Sequence, residues 1–158
     1  MMRLGRRLVS AALLLALLAT VIYPGRAGAE PKSLRDQLVG TWILVSAVDV
    51  RKDGSKVNRW GAAPKGTFIF TSEGRYAQMI LRTDVRMFGA RNAASFGTFT
   101  VNARDKTIVT RVEASSNHNY NGTDRKRIIV SLTDDELIYL NPSTSSGTSV
   151  RAIWKRAH

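Results

Sequence analysis

The chain has 158 residues, with 24 Lys or Arg against 12 Asp or Glu and a formal charge of +12. It contains no cysteine, which excludes disulfides, thiolate chemistry, cysteine-based metal sites and an acylated lipoprotein N-terminus. Its two histidines, His118 and His158, have no partner at metal-ligand spacing, so neither a metal nor a cofactor is expected.

Residues 1–7 carry Arg3, Arg6 and Arg7 and no acid. Residues 8–22 are almost wholly apolar, Tyr23-Pro24-Gly25 breaks any helix, and Ala27-Gly28-Ala29 supplies small residues where a signal peptidase reads. A basic start, a short apolar core and an A-x-A end make a secretory signal. The apolar run is about 15 residues, short of the roughly 20 that span a bilayer, which favours cleavage after Ala29 over an uncleaved anchor. The expected organisation is therefore a signal peptide at 1–29 and one domain at 30–158, in the periplasm or secreted from a bacterium. Removing the leader leaves 129 residues and a charge of +8.

In the remainder, residues 33–39 read as a short helical turn capped by Ser33, with Asp36 three residues on and Gly40 ending it. A train of extended segments follows, with turn residues between them. The segments are 41–50 (TWILVSAVDV), 66–71 (GTFIFT), 75–82 (RYAQMILR), 94–101 (ASFGTFTV), 107–114 (TIVTRVEA), 125–132, 136–140 and 148–156 (TSVRAIWKR). Asp53-Gly54, Ser72-Glu73-Gly74 and Thr133-Asp134-Asp135 are the clearest turns, and residues 115–124 and 141–147 read as polar loops. About eight short strands predict an all-β domain, an antiparallel sandwich or barrel. A closed barrel removes sheet edges and, with eight strands, can hold one small ligand.

Four blocks carry a family resemblance. Leu38-Val39-Gly40-Thr41-Trp42-Ile43-Leu44-Val45-Ser46 resembles the L-x-G-T-W-x-L-V-S opening of the bacterial lipocalin-like domain family. Residues 64–76 (PKGTFIFTSEGRY), then Phe96-Gly97-Thr98-Phe99, then Arg111-Val112-Glu113 with Asn121-Gly122-Thr123-Asp124, resemble that family's later segments in order. The resemblance implies a calycin-type up-and-down barrel with an internal cavity, and Trp42 near its closed end, covered by Arg156. Phe70 stands where the family often has Tyr, and Thr110-Arg111 where a His pair is common.

No catalytic signature stands out: there is no G-x-S-x-G elbow and no glycine-rich phosphate loop. Alternation puts Tyr76, Gln78, Ile80 and Arg82 on one strand face and Ala77, Met79 and Leu81 on the other. Thr107, Val109, Arg111 and Glu113 share a face of another strand, where Arg111 and Glu113 could neutralise each other. These polar sets either face solvent or orient a ligand within apolar barrel walls. The cavity candidates are Trp42, Phe68, Phe70, Tyr76, Gln78, Arg111, Glu113 and Tyr139, with Trp60 and Phe88 at a pocket mouth or lid. The expected function is binding of a small apolar or amphipathic molecule. The alternatives are an isomerase or cyclase using Glu113, Arg111 and Tyr76, and a basic protein attracted to anionic envelope lipids. The scattered basic residues, among them Arg125-Lys126-Arg127, read as a solvated surface or as a means of attracting anions. Nucleic acid is not expected.

Overall fold

A computed structural model describes residues 30–84, 92–142 and 148–158. The expected leader at 1–29, Phe88 and most of the Pro/Ser/Gly loop lie outside the described residues. Among the described residues no helix is long and apolar enough to cross a membrane.

The first element of the described residues is α1 (Leu34–Leu38), whose cap is the expected one: the Asp36 backbone N–H donates to Ser33 Oγ at 3.1 Å. The strands are β1 (Gly40–Val50), β2 (Lys56–Val57), β3 (Lys65–Phe70), β4 (Arg75–Leu81), β5 (Asn92–Asn102), β6 (Thr107–Ser115), β7 (Asp124–Leu132), β8 (Glu136–Asn141) and β9 (Ser149–Arg156). A single 3₁₀ turn, η1 (His118–Tyr120), interrupts the loop between β6 and β7. Every pairing is antiparallel and runs in chain order from β3 to β9, and β9 returns to β1. This closes an eight-stranded up-and-down antiparallel barrel. Closure leaves no unpaired edge among the eight staves. Strand β2 is a two-residue addition to the end of β1, just after the expected Asp53-Gly54 turn.

Bulges bend the strands at Val45, at the Phe96–Gly97 step and at Val130. Gly97 is required where β5 crosses β6, because a Cβ there would lie 2.0 Å from the Arg111 carbonyl oxygen. Between the bulges, alternation sends one face of each strand inward. Trp42, Leu44, Phe68, Phe70, Tyr76, Phe99, Ile108, Leu137, Tyr139 and Trp154 form the buried core. Burying side chains of this size is the main source of stability in a domain without cross-links.

The two ends differ. Helix α1 and the three tight turns Ser72–Gly74, Ala103–Lys106 and Thr133–Asp135 close one end. The strand ends that lead into the longer connections β1–β3, β4–β5, β6–β7 and β8–β9 lie at the other.

Candidate functional site

The closed half of the barrel is solid. Phe68 sits 4.1 Å from Phe70, 5.5 Å from Trp154 and 6.0 Å from Tyr76, centroid to centroid, and Phe70 lies 4.9 Å from Phe99. Trp42 is fully buried beneath them and donates from its indole N–H to the Leu38 carbonyl at 2.9 Å. The Arg156 guanidinium caps this end, 4.1 Å from the Trp42 ring centroid. It donates to the carbonyls of Val39 at 2.8 Å and Gln37 at 2.6 Å, and to that of Asp134. The last strand thus ties α1 and the β7–β8 turn to the barrel base.

Above the aromatic layer a cavity of about 290 Å³ opens toward the long loops. Its apolar wall is Ile80, Val112, Val150 and Ala152, with Trp60 reaching in from the β2–β3 loop. One group of polar side chains lies on its floor. The Arg127 guanidinium donates to Thr110 Oγ1 at 2.7 Å and to Gln78 Oε1 at 2.8 Å. The Gln78 amide donates in turn to the Tyr139 hydroxyl at 3.1 Å, and the Thr110 hydroxyl donates to the Arg125 carbonyl at 3.3 Å. One chain of hydrogen bonds therefore joins β4, β6, β7 and β8 across the cavity floor. The faces of Phe68 and Tyr139 lie 5.3 and 5.6 Å from the Arg127 guanidinium carbon. At the loop end Asp49, almost wholly buried on β1, pairs with Arg59 and accepts from the Thr148 hydroxyl at 3.3 Å.

Of the eight cavity candidates, Gln78 and Tyr139 line this space. Trp42, Phe68, Phe70 and Tyr76 point into the barrel but fill it, so they form the floor and the closed end rather than the cavity wall. Arg111 and Glu113 do not face the lumen. The inward residues of β6 are Ile108, Thr110 and Val112, and Arg111 and Glu113 stand on the outer surface. Nor do they neutralise each other. Glu113 takes a two-pronged bond from Arg75 at 2.6 and 2.8 Å, and Arg111 pairs with Asp124 at 3.2 Å. The Arg75 hydrogen bonds, then its charge, hold the Glu113 carboxyl below its ordinary value. An exposed carboxyl kept ionised this way is poorly suited to act as a general base, and it lies outside the cavity. His118 belongs to η1, and His158 lies 3.3 Å from Asp135.

Sequence reading missed Arg127, Arg125, Asp49 and Arg59 as cavity residues. The available signal was alternation along β7, which puts Arg125, Arg127 and Ile129 on one face. That signal is masked by Ile128 and Val130, which make the opposite, outward face look like the core side.

No protein-family profile and no curated protein sequence matches the chain. Among solved structures it is similar to a de novo designed fluorescence-activating β-barrel, at 13% identity and a TM-score of 0.47 over 80% of this chain and 100% of that one. It is also similar to bovine odorant-binding protein in complex with a selenium-containing odorant. That match has 19% identity and a TM-score of 0.45 over 83% of this chain and 77% of that one.

Proposed function

We propose that this is an exported, periplasmic or secreted binding protein of the bacterial lipocalin-like kind that holds one small amphipathic molecule in the open half of its barrel. The observation that carries the reading is the half-filled lumen. A barrel built only for stability would be packed throughout, whereas here packing stops at Phe68 and Tyr139 and a walled cavity begins. Its volume of about 290 Å³ lies just under the range of about 300–1,000 Å³ typical of small-molecule sites, so it suits a small ligand. A few polar groups set in apolar walls are what orients a ligand in such a site. The isomerase or cyclase reading loses its motive, since two of its three suspects, Arg111 and Glu113, stand outside the barrel. The leader at 1–29 supports export, and cleavage after Ala29 would leave Glu30 as the first residue.

Native mass spectrometry of the protein recovered from periplasmic extract tests both parts. The expected result is a chain beginning at Glu30 that carries a small-molecule adduct. An Ile80→Trp variant, whose larger side chain occupies the cavity, is expected to lose the adduct. Protein recovered consistently at its bare mass, with no amphiphile shifting its unfolding midpoint, would remove the binding reading. A full-length N-terminus would remove the cleavage reading.

A further inference from the structure

Arg127 is 6% exposed, and no carboxylate of the chain pairs with it. All 12 acidic residues of the sequence fall among the described residues, so this holds for the whole protein. The acids in ion pairs are committed elsewhere: Asp49 to Arg59, Glu113 to Arg75, Asp84 to Arg82, Asp124 to Arg111 and Asp135 to His158. The hydrogen-bond partners of Arg127 are neutral, Thr110 and Gln78, and its Nε–H has none.

Such an arrangement is strongly unfavourable by itself. A buried charge needs an opposite charge or a full set of hydrogen bonds, and a guanidinium cannot escape by losing its proton. The rings of Phe68 and Tyr139 compensate in part. What would compensate fully is an anion arriving from the cavity that Arg127 lines. The wider lining agrees in sign, with three guanidinium groups (Arg59, Arg125, Arg127) to one carboxylate, Asp49. The Asp49–Arg59 pair cancels its own charge, which leaves the lining net positive, with Arg127 on the floor. Orientation follows from layering. The Arg127–Thr110–Gln78–Tyr139 network is at the bottom, the apolar residues Ile80, Val112, Val150 and Ala152 come next, and polar residues such as Asn92, Asn117 and Tyr120 return only at the loop end. Size also follows: about 290 Å³, at roughly 30 Å³ for each water-sized atom, accommodates about ten non-hydrogen atoms.

We infer that the cavity takes a small carboxylate-bearing amphiphile head-down, its carboxylate on Arg127 and its apolar body along Ile80, Val112, Val150 and Ala152. This deepens the binding reading and rests on it. A guanidinium fork matches a carboxylate with paired N–H donors, and the bond is strengthened where water is excluded. The Tyr139 hydroxyl accepts from Gln78 and keeps its own proton to donate to the same head group.

Calorimetric titration of the mature domain with octanoate, 1-octanol and octylammonium isolates the head group, because the eight-carbon chain is shared. Octanoate is expected to bind at least about tenfold more tightly than octanol, and octylammonium weakest. Arg127→Met is expected to remove that preference, so that octanoate binds no more tightly than octanol to the variant. The variant is expected to fold, because it replaces an unpaired buried charge with an apolar side chain of similar length. Should it not fold, the Arg127 Nε–H resonance of the wild-type protein serves instead, and octanoate, not octanol, is expected to move it. Octanol binding as tightly as octanoate, octylammonium binding more tightly, or an unmoved resonance would overturn the carboxylate assignment and leave the binding reading standing. Silence with all three amphiphiles would overturn the binding reading itself, and this assignment with it.

Discussion

Replacing Arg156 with Ala removes the clamp at the closed end, and the structure allows the cost to be worked out. The guanidinium donates to the carbonyls of Val39 and Gln37 in a part-buried setting and to that of Asp134 near solvent, and it covers the Trp42 ring. Water can reach the carbonyls once the side chain is gone, so each bond counts near the low end of its range. Two part-buried bonds at about 1 kcal/mol each and a cation–π contact of about 1 kcal/mol give a loss of ~3 kcal/mol. At a urea slope of roughly 1.5 kcal/mol/M, the unfolding midpoint should fall by about 2 M. Trp42 and Trp154 are both fully buried, so tryptophan fluorescence reports the transition directly. Arg156→Lys should recover less than half of the loss, because an ammonium keeps the charge but has no planar fork to span three carbonyls. A loss below about 1 kcal/mol in Arg156→Ala, or a lysine variant as stable as wild type, would refute the clamp as the tie that holds α1 to the base.

Gly97→Ala should cost more than about 3 kcal/mol or prevent folding, since the new Cβ would meet the Arg111 carbonyl oxygen at 2.0 Å and the Glu113 nitrogen at 3.0 Å, both backbone atoms that cannot rotate aside. A urea midpoint within about 0.5 M of wild type would show that β5 and β6 can separate cheaply there. Acid should weaken the fold through carboxyls held below their ordinary values, notably Glu113 by Arg75, Asp84 by Arg82 and Asp53 by Ser55. Because these groups lose their protons more readily folded than unfolded, the stability they add is complete above the ordinary carboxyl values, 4.5 for Glu113, and is lost as pH falls through the lower folded values. All three are exposed, so the effect should be modest and shrink with added salt. Glu113→Gln should flatten part of the decline in urea midpoint on acidification, and an unchanged pH profile would remove the Arg75–Glu113 pair from the account.

Much of the fold was legible because it is written locally. Alternating β-branched and aromatic residues, with turn residues at short spacing, define all eight staves to within two residues at either end. Ser33 and Asp36 likewise define the cap of α1. The Trp42–Arg156 contact was anticipated from the resemblance and has a simple physical basis, because antiparallel closure makes the two residues direct partners across β1 and β9. The short β2 and η1 were not legible. Each is a few residues long and depends on a neighbour, β1 in one case and the β6 end in the other, rather than on its own pattern.

The site was only half readable, for a definite reason. Period-two alternation says which residues share a face but not which face is inside. On β4 the aromatic and apolar residues Tyr76 and Ile80 share a face with Gln78, and that face is inward. On β6 the inward side is Ile108, Thr110 and Val112, so Arg111 and Glu113 fall outside. On β7 the usual polarity is reversed: Ile128 and Val130 are exposed while Arg127 is buried. By itself the sequence determined the strands, their order and the lack of cross-links. Only closure of the barrel decided which side of each strand is the interior, how far the aromatic side chains fill it, and that a guanidinium with no counter-charge stands at the bottom of what remains.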